Sequence, residues 1–325
     1  MYSRRLITGF IAALALGLAP SAVLAADTIA IAQFGLHPQL DAVVKAFKAE
    51  LAAEGYSEGD KITFVESQAN FDASLIPQMV TKLEGSSPKL MLTITTPVSQ
   101  GAKQLLAGSN IPVIFAAVTD PVSAKLVPAW DKADKMMTGA SDLQDIDAVL
   151  TFTRKLFPDA KRLAIPYNPG EDNDLAAVKL VKENAPKHGF EVVELGIDNT
   201  TDIPIRIASL SGKADVMYLP ASNLLQPAAP AVAAAAQTIK LPIVNASQDV
   251  VEKGLVPASF EVDYSKVGTN AGKLAGAFLG GKAISDLPPV KPAYEDHHAL
   301  INEKVMTDLG FSIPADLKDC NCFAK

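Results

Sequence analysis

Short β-branched runs alternate with longer stretches rich in Ala, Leu and Lys along most of the chain. That alternation predicts parallel sheets covered by helices. In the first half the pattern predicts strands at 28–34, 61–66, 90–95 and 113–117, separated by helices at about 40–54, 73–84 and 98–106. The second half repeats the plan, with strands at 162–167, 191–196, 215–219 and 243–246 and helices at about 175–188, 204–210 and 227–239.

The two halves also agree in detail. The strand IAIAQF leads through a helix to Gly55-Tyr56, and LAIPYN leads through a helix to Gly189-Phe190. Ile31 to Ile165 and Gly55 to Gly189 are both offsets of 134 residues, and Pro112 aligns with Pro242 ahead of the fourth strand of each half. Constant spacing favours a duplicated unit. The expected fold class is therefore α/β, with two Rossmann-like lobes of parallel strands joined by crossovers. Ligands of such sheets bind beyond the carboxyl ends of the strands, where loops enter helix N-termini. Two such edges facing each other make a shared cleft. A helix after Val256 starts at Asp263 and Ser265, carries Gly268, Gly272 and Gly276 on one side, and stops at Gly280-Gly281. It reads as a return to the first lobe, with the Pro-punctuated tail closing on the second. The expected division is 26–140 with 260–285 for lobe one, and 141–259 with 286–325 for lobe two.

The first 25 residues stand apart. Arg4 and Arg5 precede an apolar run from Leu6 to Leu18, and Val23-Leu24-Ala25 supplies small-residue spacing for cleavage after Ala25 or Ala26. This reads as a secretory signal, because the run is short for a membrane span. No Cys lies near the cut, so no lipid anchor is expected there. Loss of the two arginines takes the formal charge from −7 to −9. An acidic surface argues against nucleic acid and anionic lipid as partners. Cys320 and Cys322 are separated by Asn321 alone; export permits their pairing, the short spacer opposes it, and the core depends on neither outcome.

Polar residues cluster at the strand ends that would face the cleft. They are Gln33-Phe34-Gly35-Leu36-His37 and Tyr167-Asn168-Pro169-Gly170-Glu171, then Thr95-Thr96-Pro97 and Pro220-Ala221-Ser222-Asn223, then Val118-Thr119-Asp120-Pro121 and Ser247-Gln248-Asp249. Each of these positions also suits a helix N-cap, and the two readings are compatible, because free N–H groups at helix starts bind carboxylates too. These loops hold no Arg or Lys, only Asp120, Glu171 and Asp249, joined by Asp263 from the return helix. That disfavours phosphate or sulfate and favours a zwitterion. Its carboxylate would meet hydroxyls and helix N-termini, and Asp120 or Asp263 would take its ammonium. Phe34, Tyr167 and Tyr264 are candidate walls for an apolar side chain, whereas Phe115 fits a core position better.

Catalytic signatures are missing: there is no GxSxG elbow, Gly-rich phosphate loop or HExxH pair. No catalytic residue or cofactor is expected. His297, His298, Cys320 and Cys322 match no zinc spacing, so no metal site is assigned.

The strings IAIAQFGLHPQLDAVVKAFKAELAAEGY, TITTPVSQGAKQ, IPVIFAAVTDP, YNPGEDND and INEKVMTDLGFSIP resemble the ABC-transporter substrate-binding family that includes tryptophan- and tyrosine-type binding proteins. The resemblance runs from Thr28 to Pro314, and the pairing of VTDP with YNPGE carries most of its specificity. It implies a type I periplasmic binding fold, with contacts at Thr96, Thr119 and Asp120 in one lobe, at Asn168, Glu171, Ser222 and Asn223 in the other, and an acidic position at Asp263. The chain has Ser222 where many members carry Asp, and ASQDVV where many carry an acidic-rich stretch. The implied function is a periplasmic, monomeric binding protein that hands a small zwitterion, an aromatic or other apolar amino acid, to the permease of an ABC importer. A ligand sensor for a membrane receptor, a binder of another small carboxylate and an α/β enzyme are the competing readings.

Overall fold

The computed structural model describes residues 26–318 and 320–324. The expected signal segment lies outside the described residues.

The first lobe opens with β1 (Asp27–Gln33), α1 (Pro38–Ala53), β2 (Ile62–Gln68), α2 (Ile76–Glu84), β3 (Leu90–Ile94), α3 (Thr96–Leu105), β4 (Val113–Ala116) and β5 (Met137–Ala140). Its sheet has the order β2-β1-β3-β4-β5 and every pairing is parallel. The chain then crosses to α4 (Ile146–Leu156), β6 (Arg162–Tyr167), α5 (Asp172–Asn184), β7 (Glu191–Gly196), α6 (Ile203–Ala208), β8 (Val216–Leu219), α7 (Ala229–Thr238), β9 (Ile243–Asn245), α8 (Asp249–Glu252) and β10 (Ala258–Val262). It returns to the first lobe as α9 (Tyr264–Leu279) and ends on the second with β11 (His297–Ile301) and α10 (Glu303–Asp308). The second sheet has the order β11-β10-β9-β8-β6-β7, and only β11 runs antiparallel.

Strand alternation sorts side chains to the two faces of each sheet. In β1, Ile29 and Ile31 pack under α1 and α9, while Ala30 and Ala32 pack under α2 and α3. In β6, Leu163 and Ile165 join one cluster and Ala164 the other. Gly55 (φ 88°) and Gly189 (φ 73°) supply the left-handed residue that ends a helix in each half, as their shared spacing predicts. The Arg154 guanidinium lies 3.9 Å from the ring of the following Phe190.

Three features depart from the sequence reading. β5, α4 and β11 join the predicted elements. β10 belongs to the second sheet through Val262, and the return begins at Asp263 rather than 260. After α9 the chain stays on the first lobe as far as Val290, which bridges Ala140, while Thr138 Oγ1 donates to the Leu287 carbonyl at 2.6 Å. The tail does close on lobe two. Phe311 stands edge-on to Phe157 at 5.0 Å, Phe323 bridges Ile301, and Cys320 and Cys322 form a disulfide. Among the described residues, no helix is long and apolar enough to cross a membrane.

Candidate functional site

The carboxyl ends of the two sheets face each other across a cleft that is closed in this structure. Gln39 Nε2 of α1 donates across it to the Ala246 carbonyl at 2.9 Å and to Glu261 at 3.2 Å. Gln100 Nε2 of α3 donates to Asp172 of α5 at 2.7 Å. Between these bridges lies an outer chamber of about 30 Å³, room for about two waters in this closed form. Lobe one contributes His37, Phe71, Thr95, Thr119 and Tyr264; lobe two contributes Asn173, Ser222, Asn223 and Gln226.

The backbone is strained where it meets this chamber. Thr95 (φ 85°, ψ 159°) and Ala117 (φ 53°) follow β3 and β4 directly, and both line the chamber. Non-glycine residues in such regions cost of order 1–3 kcal/mol each and gather at ligand sites. The hydroxyls of Thr95 and Thr96 are buried without a hydrogen-bond partner among the described residues.

Thr119, Asp142, Asn173 and Ala221 line both this chamber and a second, inner one of about 10 Å³, room for about one water. They therefore form the neck between the two. The buried Asp142 carboxylate accepts from Thr119 Oγ1 at 3.2 Å and from the Tyr264 hydroxyl at 2.7 Å. Burial raises its pKa, and the two hydrogen bonds pull the other way. The inner chamber has apolar walls at Leu143, Ile146, Ala177 and Leu180, with Gln144 and Tyr218 also lining it. Among the described residues, the titratable groups lining these two chambers are the acids Asp142 and Asp174, the phenols of Tyr218 and Tyr264, and His37, whose pKa burial lowers.

The loops of lobe two are held by their own acids. Glu171 accepts from Asn223 Nδ2 at 2.7 Å, from the Asn223 backbone N–H at 3.2 Å and from Asn168 Nδ2 at 2.9 Å. Asp174 accepts from the Asn168 N–H at 2.6 Å and from Asn173 Nδ2 at 2.9 Å. Burial, with the neighbouring Glu171 charge, drives the Asp174 pKa well above the usual carboxylate range.

Of the residues singled out in the sequence, Thr119, Ser222, Asn223 and Tyr264 are among those that line the chambers. Thr96 sits one residue past the lining Thr95. Phe34 is one shell back, edge-on to Phe71 at 5.6 Å, and it is Phe71 that faces the cavity. Asn168 and Glu171 brace the Asn223 loop, and Tyr167 ends β6 without reaching either lining.

The expected ammonium partners lie outside the linings of both chambers. Asp120 turns into its own loop, where it accepts from the N–H groups of Val122 and Ser123 at 3.0 and 3.1 Å and from Ser123 Oγ at 2.8 Å. Asp263 caps α9 by accepting from the Ser265 N–H at 2.8 Å. Ser247 donates to Asp249 at 2.6 Å, and Asp249 pairs with Lys253 at 2.9 Å. Ser247, Asp249 and Asp263 lie instead in a separate polar recess beside Gln39 and Glu261. The tail residue His297 is also engaged, since its Nε2 accepts from the Asp145 N–H at 3.0 Å.

The sequence reading missed Asp142, Gln144, Asn173, Tyr218 and Gln226. Asp142 and Gln144 follow β5, a four-residue strand with no β-branched run to announce it. Tyr218 sits inside an apolar strand where an aromatic reads as core. Gln226 follows the Ser222-Asn223 loop, the nearest signal that pointed toward it.

The model of the ABC transporter substrate binding protein family matches residues 28–320. A curated relative named tyrosine-binding protein, from Clostridioides difficile, is 35% identical over 281 residues, covering 86% of this chain and 80% of its own. A crystal structure of an ABC domain from Streptococcus pneumoniae in complex with L-Trp is 29% identical, with a TM-score of 0.86 over 92% of this chain and 99% of that one. A ligand-free, open substrate binding protein with adhesive properties from Clostridium difficile is 32% identical with the same coverages, yet its TM-score is 0.70. The poorer superposition at higher identity agrees with the bridged, closed cleft seen here. The more distant structures, such as a leucine binding protein from Thermotoga maritima at 12% identity and a TM-score of 0.62, share the fold, which is that of the type I periplasmic binding proteins. By the span of the family match and the closeness of these relatives, the chain belongs to the ABC transporter substrate-binding protein family.

Proposed function

We propose that this protein is the periplasmic binding subunit of an ABC importer and that its ligand is an aromatic amino acid, held between the lobes and presented to the permease. The observation that carries the reading is the neck. A buried carboxylate, Asp142, stands between a polar chamber and an apolar one, with no Lys or Arg among the described residues that line either. An α-ammonium supplies the missing counter-charge at Asp142. The α-carboxylate then meets Ser222 and the Thr95 hydroxyl, which has no partner among the described residues, and the side chain lies between the lobes, which part far enough to admit it. The relatives support the same class, since one is named for tyrosine and another was solved with L-Trp.

The protein binds as a monomer and releases its ligand unaltered, after export by its leading segment. Ligand bound to the closed form shifts the open–closed equilibrium by its differential affinity. Thermal denaturation of the mature protein against the common amino acids, simple sugars and small organic anions tests the proposal. An aromatic amino acid at a hundred times its Kd adds about 2.7 kcal/mol of stability. A panel in which only sugars or anions without an ammonium stabilise the protein refutes it.

A further inference from the structure

Gln144 and Tyr218 have no part in the amino-acid reading, yet both line the inner chamber. Gln144 is 7% exposed and Tyr218 0% exposed. Gln144 Nε2, Gln144 Oε1 and the Tyr218 hydroxyl are buried and have no hydrogen-bond partner among the described residues. Native proteins satisfy nearly all buried polar atoms with protein groups or ordered water, so an amide and a phenol left open around one cavity call for a third group. Size limits that group. The chamber holds about 10 Å³, close to the least that admits one water and far too little for a ring.

We infer that the inner chamber is a site for one bound water, held by Gln144 and Tyr218, which braces Asp142 on the side away from the outer chamber. The two residues come from separate parts of the fold. Gln144 belongs to the crossover that carries Asp142 from β5 to α4, and Tyr218 stands in β8. A water between them ties that crossover to the second sheet. The role at Asp142 rests on the proposed function: if this carboxylate receives the ammonium, whatever fixes the carboxylate also fixes the ligand.

The chemistry of the lining favours water over other small occupants. The Tyr218 hydroxyl and the Gln144 amide can each donate or accept, and a water can answer both and still donate to a carboxylate. Asp142 accepts from Thr119 Oγ1 at 3.2 Å and from the Tyr264 hydroxyl at 2.7 Å, and a carboxylate has sites for further donors. Burial raises the Tyr218 pKa, and the Asp142 charge pushes the same way, so the phenol keeps its proton and can donate. A cation would be drawn to Asp142 and Asp174, but it cannot accept the amide N–H or the phenol proton. Asp174 is moreover engaged by the Asn168 N–H at 2.6 Å and by Asn173 Nδ2 at 2.9 Å, and burial favours its neutral form. A donor to the ionised form lowers a carboxyl pKa, so the water opposes the burial that raises that of Asp142.

Crystallography of the mature wild type, and calorimetry with L-tryptophan on the wild type, Gln144→Met, Tyr218→Phe and the double variant, test the inference. Density for one water is expected within about 3.2 Å of both side chains. Each single substitution should weaken L-tryptophan about three- to tenfold. The double variant should bind no worse than the weaker-binding single one, because the same water is lost only once. Loss of a donor raises the Asp142 pKa, so the fall of affinity with falling pH should begin at a higher pH in the variants. A merely structural defect lowers affinity equally at every pH. An inner chamber without density, a cation in it, or a direct bond between Gln144 and Tyr218 overturns the water. Losses that multiply in the double variant, or a pH profile unmoved in variants that melt cooperatively, overturn the brace on Asp142. Failure of every amino acid to bind removes the amino-acid reading and the brace with it, and the density alone then decides the water.

Discussion

The Tyr264 hydroxyl donates to Asp142 Oδ2 at 2.7 Å, and this one bond ties together two of the segments that cross between the lobes. Asp142 follows β5 on the way into lobe two, and Tyr264 opens α9 on the way back. The acid proposed to take the ligand's ammonium is thus fastened to the hinge. Asp142→Asn keeps an acceptor and nearly the same shape, and the Tyr264 hydroxyl can turn to accept from the new amide. The fold should survive, with amino-acid affinity reduced at least about tenfold by loss of the charge-assisted bond. Because burial raises the pKa of Asp142, an ammonium that requires its ionised form should expel a proton on binding. Affinity should then fall as pH falls. Calorimetry in two buffers of different ionisation enthalpy measures that proton, and Asp142→Asn should abolish it.

Closure itself can be loosened without touching the chambers. Gln100 lines neither chamber, yet its amide donates to Asp172 across the cleft at 2.7 Å. Such a bond near the surface contributes about 0.5–1 kcal/mol. Gln100→Ala should weaken ligand binding about two- to fivefold, almost wholly through faster dissociation, since related complexes differ mainly in their off-rates. Stopped-flow fluorescence separates the two rates. A slowed association with unchanged dissociation would mean that the bond does not hold the closed state.

How far the sequence leads is visible in particular residues. Gly55 and Gly189 announced the duplicated lobes because a left-handed residue at a helix end leaves few alternatives to glycine. β5 stayed hidden because it is four residues long and includes Gly139, where a side chain would collide with the Phe115 carbonyl of the neighbouring strand. Close packing, not strand propensity, dictates that residue. The site was legible as a ring of polar loop ends, but not in the division of labour within it. Asp120 and Asp142 are both aspartates near turns; one spends its oxygens on Val122 and Ser123, the other faces the neck. That choice depends on the direction of the backbone. Asp142 also belongs to a crossover that has no counterpart in the other half, so the internal repeat could not point to it.

The recess at the hinge should make stability depend on pH in one direction. Burial pushes the Glu261 carboxyl up to about 8, and the charges of Asp249 and Asp263 push the same way. The Gln248 N–H at 2.8 Å and the Gln39 amide at 3.2 Å oppose them, and His298 sits opposite Glu261 in the β10–β11 ladder. A folded-state pKa raised above the unfolded 4.5 gives stability that is complete below pH 4.5 and is lost as pH rises through about 8. Asp142 and Asp174 are raised as well and act in the same sense. Glu261→Gln isolates the Glu261 share. The stability of the variant relative to wild type should climb between pH 5 and 8 by something on the order of a few kcal/mol, read from unfolding curves at each pH. A difference that stays flat would mean that Glu261 is ionised in the folded protein throughout.

The return helix offers a test of close packing that bears on lobe one alone. Gly268 of α9 lies against the backbone of α1, where a methyl group would overlap the Val43 carbonyl and stand 2.9 Å from Ala46 Cβ. Neither obstacle can swing aside, so Gly268→Ala must spread the two helices. It should cost about 1–3 kcal/mol, the usual penalty for overpacking. Gly276, two turns further along, meets the carboxylate end of Glu54, which can rotate away. There the helix-forming advantage of Ala over Gly, about 1 kcal/mol, should offset most of the crowding. Gly276→Ala is therefore expected to be neutral or stabilising while Gly268→Ala lowers the melting temperature. Denaturant unfolding of both variants decides the point, and equal losses at the two positions would show that the helices approach more loosely at Gly268 than the Val43 contact implies.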